Sequence, residues 1–250
     1  MTKLQKALNT IAIEMFRNQA DQDYICARIN YRMVFREQFL WSGLHAIEKY
    51  LKAILLFNGR NARYVDLNNK SLGVFGHNLT KLIKAINDIE VFSLIYPSWG
   101  NDFMKYLTEF GINRYFTKTS HLKGDEFFKL DKLIWSIRRY CQYLHKIYKS
   151  LDGGEIDGID LELDKINNPN NERNPKGYKP FDGILEQILA KPQKDFTRKA
   201  LIWRNNFYGK KGKIKNTDYP SWVSIGRSPI DRGWSITPRL KHQIKDYVKL

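Results

Sequence analysis

The chain has 250 residues, 42% of them hydrophobic and 14% aromatic, and a formal net charge of +16 at pH 7. That length admits one large domain, or a domain of about 150 residues with an elaborate tail. The composition excludes a disulfide scaffold and a membrane span, because only Cys26 and Cys141 occur and no run of 18 apolar residues exists.

The positive field favours polyanions: nucleic acid, nucleotides, an anionic surface or an acidic partner protein. The N-terminal MTKLQKALNTIAIEMFRNQ has no continuous apolar core of the signal-peptide kind. A cytoplasmic protein without a membrane partner is the expectation. Neither C-x-x-C nor another zinc-type cluster stands in the sequence, so no metal and no cofactor are expected.

In chain order, Leu4, Leu8, Ile11, Ala12, Met15 and Phe16 recur at helical spacing and predict a helix over 3–17. Asp21 or Asp23 is expected to cap a second helix that turns Tyr24, Ala27 and Tyr31 inward. Phe39, Gly43, Ala46, Ile47, Tyr50, Ile54 and Leu55 give a central helix one wide apolar face, and Asn58-Gly59 ends it. After a polar loop over 58–75, a helix from about 77 to 89 buries Leu79, Leu82, Ile83 and Ile86. Pro97 and Gly100 break the pattern before Phe103, Met104 and Leu107 start another helix. A last long helix is predicted over 125–151, where Phe127 to Tyr148 keep the 3.6-residue period. The fold class is mainly α, an antiparallel helical bundle over 1–151.

Beyond Leu151 the stretch DGGEIDGIDLELDKINNPNNERNPKGYKP is rich in Gly, Asp, Asn and Pro and reads as a linker or irregular arm over 152–180. Residues 181–250 read as a basic, aromatic-rich, partly irregular C-terminal extension, with short helices near 181–190 and 195–205. Its last 50 residues hold 11 Lys and Arg against 3 Asp and Glu, a local balance of +8. Lys210, Lys211, Lys213 and Lys215 stand there among Trp203, Phe207, Tyr208, Tyr219, Trp222 and Trp234. Lysines can follow phosphates while rings stack on bases, the pattern of single-strand binding. Alternatively, the rings pack the extension onto the bundle and the lysines are solvated.

The string FLWSGLHAIEKYLKAILLFNG at 39–59, the GHNLTKL at 76–82 and the INRYF at 112–116 resemble the HEPN family over roughly residues 20–150. The resemblance implies a four- or five-helix bundle that pairs as a homodimer and binds RNA or nucleotide. It also implies a place in toxin–antitoxin or phage-defence systems, beside a nucleotidyltransferase-type partner. Catalytic members carry Arg and His a few residues apart. Together these make a metal-independent ribonuclease, in which the 2′-hydroxyl attacks phosphorus, His moves the proton and Arg neutralises the phosphoryl oxygens.

Here the matching pair is Arg114 and His121, with Lys118 in the polar stretch between them. The residue after Arg114 is Tyr115 rather than a small polar one, and Arg114-Tyr115-Phe116 also resembles the corner of non-catalytic relatives. A binding module without turnover, or a scaffold for an acidic partner protein, therefore stays open. Arg139 and His145 show a similar spacing but would point to different faces of a continuous helix. Two further candidates complete the set. His45, Glu48, Lys49 and Lys52 form one stripe of the central helix, suited to a nucleotide phosphate, a second protomer, or internal pairing. His77 at a helix start is expected either to cap and pack locally or to join an anion site.

Overall fold

A computed structural model describes residues 1–64, 73–90, 92, 94–113, 120–168, 183–208 and 223–226, with the strands at 120–123 and 223–226 given by their main chain. The chain is mainly helical. Thr2 opens α1 (Lys3–Ile11), its hydroxyl accepting from the Gln5 N–H at 3.1 Å. The helix then runs through a π-helical segment, Ala12–Arg17, into α2 (Asn18–Arg32). The expected cap at Asp21 or Asp23 is thus absent. Asp21 is fully buried and charge-paired, Asp23 holds Lys49, and both carboxylates are engaged across the fold instead of at a helix start.

A tight reversal at Met33–Phe35, with Val34 at φ 62°, sets α3 (Arg36–Phe57) against α2. Of the 22 residues of α3, 15 are buried, which makes it the central element of the core. It ends where the sequence indicates: Asn58 follows, and Gly59 takes φ +67°, a conformation that costs glycine nothing. Around α3 pack α2, α4 (Leu79–Asn87), α5 (Gly100–Phe110) and α6 (Glu126–Arg138). Leu79, Leu82, Ile83 and Ile86 of α4 are buried as expected, as are Phe103, Met104 and Leu107 of α5.

The predicted helix over 125–151 stops at Arg138. Tertiary partners outcompete its helical period. The Arg139 guanidinium donates to the Ile166 carbonyl at 2.6 Å, the Tyr140 hydroxyl bonds Asn167, and Arg17 donates to the Cys141 carbonyl at 3.4 Å. Beyond this corner, β2 (Ile147–Lys149) and β3 (Glu155–Asp157) form an antiparallel hairpin leading into α7 (Ile159–Asn167). Much of the expected linker is therefore built: Ile159, Leu163 and Ile166 are buried, and Glu162 accepts from Lys146, Lys165 and Tyr148. The rest of that expected linker, 169–180, lies outside the described residues.

Two short helices follow, α8 (Ile184–Ala190) and α9 (Phe196–Ile202), at the places the sequence predicts. They are wired into the core by buried charges. Arg138 donates to Asp21 at 2.7 and 2.8 Å and to Glu186 at 2.7 Å twice, while the Tyr50 hydroxyl donates to Asp21 at 2.5 Å. Arg28 pairs with Asp131 and donates to the carbonyls of Ala200 and Trp203. Asn205 donates to the Tyr24 hydroxyl at 2.9 Å and accepts from the Phe207 and Tyr208 N–H groups. Phe207 stacks on Trp135, and Tyr208 meets the same indole edge-on. Finally, β1 (Ser120–Lys123) pairs antiparallel with β4 (Val223–Gly226).

Candidate functional site

The stripe predicted on α3 divides. Lys49 turns to α2, its ammonium 2.5 Å from Asp23. His45, Glu48 and Lys52 turn the other way, towards the turn that precedes α4. That turn is fixed at both ends. Phe75 is buried, Gly76 takes φ +54°, and Asn78 caps α4 by accepting from the Lys81 N–H at 3.0 Å. Capping therefore belongs to Asn78, and His77, expected as a capping residue, is free to project onto α3.

His77 Nδ1 lies 2.7 Å from Glu48 Oε2, and Lys52 Nζ lies 2.6 Å from Glu48 Oε1. Each oxygen of a carboxylate that is only 6% exposed thus has a nitrogen partner. The rings of His45 and His77 are 5.0 Å apart, and Trp41 lies 4.0 Å from His45 and 5.8 Å from His77. Among the described residues, His45 Nε2 is buried without a hydrogen-bond partner. Burial holds the His45 pKa below its ordinary value, the nearby Glu48 charge opposing and His77 reinforcing that shift. The imidazole is therefore neutral at pH 7.

Beside this cluster, and sharing Lys52 and Gly76 with it, an open groove of about 770 Å³ runs between α1 and the end of α3. Leu4, Leu8, Ile11, Phe16 and Leu56 give it an apolar lining, to which Lys52, Arg60 and Arg63 also contribute. An apolar lining that also holds a few cations suits a ligand that has a flat ring and a phosphate. Trp41, Arg60 and Arg63 were not singled out from the sequence. Trp41 had a visible signal, four residues before His45 on the same helical face; the two arginines, in a loop beyond the helix end, had none.

Of the other candidates, Arg114, Lys118, Lys210, Lys211, Lys213 and Lys215 lie outside the described residues. His121 lies in β1, its main chain registered opposite Ile225 of β4. Trp203 packs against Phe127, while Phe207 and Tyr208 are buried, so these three rings serve packing. The spacing match at Arg139 and His145 makes no pair: Arg139 is buried and donates to the Ile166 carbonyl of α7, and His145 lies 3.1 Å from Asp157 and 3.2 Å from Asn58. Among the described residues, no helix is long and apolar enough to cross a membrane. Compared with known proteins, the chain matches no family model, and neither a curated protein nor a solved structure matches it significantly.

Proposed function

We propose that this chain is a HEPN-like RNA- or nucleotide-binding protein that takes its ligand in the groove between α1 and the end of α3. The observation that carries the proposal is the union of an apolar lining with Lys52, Arg60 and Arg63 in one groove. A base would lie on Leu8, Phe16 and Leu56, and the guanidinium groups would engage phosphate oxygens in pairs. The net charge of +16 supports the same sign of ligand. Labelled single-stranded RNA, with nucleotides as competitors, tests it by fluorescence anisotropy between 50 and 200 mM salt. Arg60→Ala with Arg63→Ala should weaken binding at least about tenfold and flatten the slope of log K against log salt by about 1.4, the share of two phosphate contacts on a single strand. Unchanged affinity in that double variant would remove the groove from the proposal.

Ribonuclease activity at Arg114 and His121 is the further part of the proposal. What favours it is the strand pairing, which sets residue 121 against 225 in the basic extension. A cationic tail joined to a phosphate-cleaving loop would present RNA to it. The homodimer, the nucleotidyltransferase-type partner and the role in toxin–antitoxin or phage defence rest on the HEPN resemblance. Cleavage of mixed RNA in chelator by the wild type, lost in His121→Ala, is the expected result. Cleavage that survives in His121→Ala would dismiss the site.

A further inference from the structure

The geometry points to a divalent transition-metal site of the zinc class formed by His45, Glu48 and His77. Unlike the groove, the site needs no nucleotide and does not depend on one. One donor atom from each of these residues lies within 4.8 Å of the other two. Tetrahedral donors about 2.05 Å from zinc sit roughly 3.3 Å from one another, so the three need to close by at most about 1.5 Å. His77, whose side chain is 45% exposed, is the ligand able to make that move. His45 and Glu48 are one helical turn apart on α3, a rigid element buried on most of its circumference.

Two further observations point to a ligand at this place rather than to packing alone. Among the described residues, His45 Nε2 is a buried ring nitrogen with no hydrogen-bond partner, a condition that native proteins reserve for water, ions or function. Lys52 already holds Glu48 Oε1 and leaves Oε2 as the oxygen directed at His77, the way an outer partner orients a metal-binding carboxylate. Two imidazoles and one carboxylate suit zinc and its neighbours better than calcium or magnesium, which prefer all-oxygen sites.

Proton balance is simple. Ligation through Nδ1 needs the imidazole with its ring proton on the solvent-side nitrogen; for a neutral ring that is a change of tautomer, which frees the Nδ1 lone pair and releases no proton. Three protein ligands leave a fourth position open to water or to an anion, the arrangement of catalytic rather than purely structural zinc. The sequence hides this set because His77 stands 29 residues beyond Glu48.

The test uses the full chain without a histidine tag, stripped with chelator and titrated with Co²⁺ alone, then with Zn²⁺ against a chromophoric chelator. About one equivalent should bind, with the intense visible absorption of tetrahedral Co²⁺ in mixed nitrogen and oxygen ligation. His45→Ala and His77→Ala should each lower affinity at least about tenfold. Lys49→Ala, on the same helix but turned to Asp23, should change nothing. Because His45→Ala touches a partly buried position, circular dichroism accompanies each variant, and a second readout needs no ligand to be removed. Co²⁺ should quench tryptophan emission in the wild type, and that quenching should be lost in Trp41→Phe. Absence of saturable binding in the wild type, or binding that persists in the double variant of His45 and His77, overturns the proposal. Either result leaves the nucleotide groove untouched, since no nucleotide is present.

Discussion

Replacing Arg138 with Met should cost this fold more than almost any other single change. Arg138 and Asp21 are both fully buried at their side chains, and Glu186 is 9% exposed. The substitution deletes four charge-assisted hydrogen bonds, two to each carboxylate. Among the described residues, Asp21 then keeps hydrogen bonds from the neutral Tyr50 hydroxyl and Leu185 N–H, with the Arg17 charge nearby, and these offset part of a buried negative charge. Removing one member of such a pair typically costs about 3–5 kcal/mol, because the charge left behind has no water to reach. For a chain of this size that is a fall in Tm of roughly 6–20 °C. Urea unfolding followed by circular dichroism measures the loss, and limited proteolysis should show α8 cut first, since Arg138 ties it to α2 and α6. Adding Asp21→Asn removes the stranded charge and should recover at least about 1 kcal/mol relative to additivity. A single-variant loss below about 1 kcal/mol, or additivity within about 0.5 kcal/mol, would refute the claim that this network holds the C-terminal helices.

Acid should act on the hairpin and α7 through Glu162. Burial pushes its carboxyl up, but hydrogen bonds from Lys146, Lys165 and Tyr148 outweigh this and hold it down to about 2. A carboxyl depressed on folding adds stability above its unfolded pKa of about 4.5 and loses it as pH falls through about 2. The difference in thermal midpoint between wild type and Glu162→Gln should therefore shrink across that window; a constant difference would contradict the assignment. The two cysteines should separate under a thiol reagent. Cys26 is exposed and should label in the native protein, slowed by partial burial and the Asp23 charge that raise its pKa. Cys141 is buried, with burial pushing its thiol far up, and should label only in denaturant. Two equivalents labelled at the same native rate would mean that the corner after α6 opens readily.

The sequence made the central helices plain because their signal is local. Apolar spacing placed α3, α4 and α5, and Asn58-Gly59 marked a real end. Where distant partners decide the outcome, the pattern misled. The helical period continues through Tyr148, yet Arg139, Tyr140 and Cys141 bond to α7 and to the π-helical segment, and the helix stops at Arg138. The Gly- and Asp-rich stretch after 151 looked like a linker because three short apolar side chains of α7 are too few to stand out. Asp21 looked like a cap because its partner, Arg138, is 117 residues away. In the site, the helix stripe was legible as spacing, but not that Lys49 would leave it, nor that His77 would complete it.

The charges at Glu48 differ in kind from those at Asp21. Both carboxylates are buried, but the partners of Asp21 are sealed in, whereas those of Glu48 reach water: Lys52 is 18% exposed at its side chain and His77 45%. Glu48→Leu would extend the apolar face of α3 and leave no stranded charge, because Lys52 and His77 can both swing out to solvent. Its expected effect on stability is within about 1 kcal/mol of zero, as for other buried charges replaced by apolar groups of similar size. The same variant should lose the metal site. A group that contributes little to folding and sits beside an unpartnered imidazole is better explained by a ligand than by architecture. Urea unfolding of Glu48→Leu beside Arg138→Met makes the comparison direct. A loss of 3 kcal/mol or more at Glu48 would class the cluster with the structural network and take away this argument for a ligand.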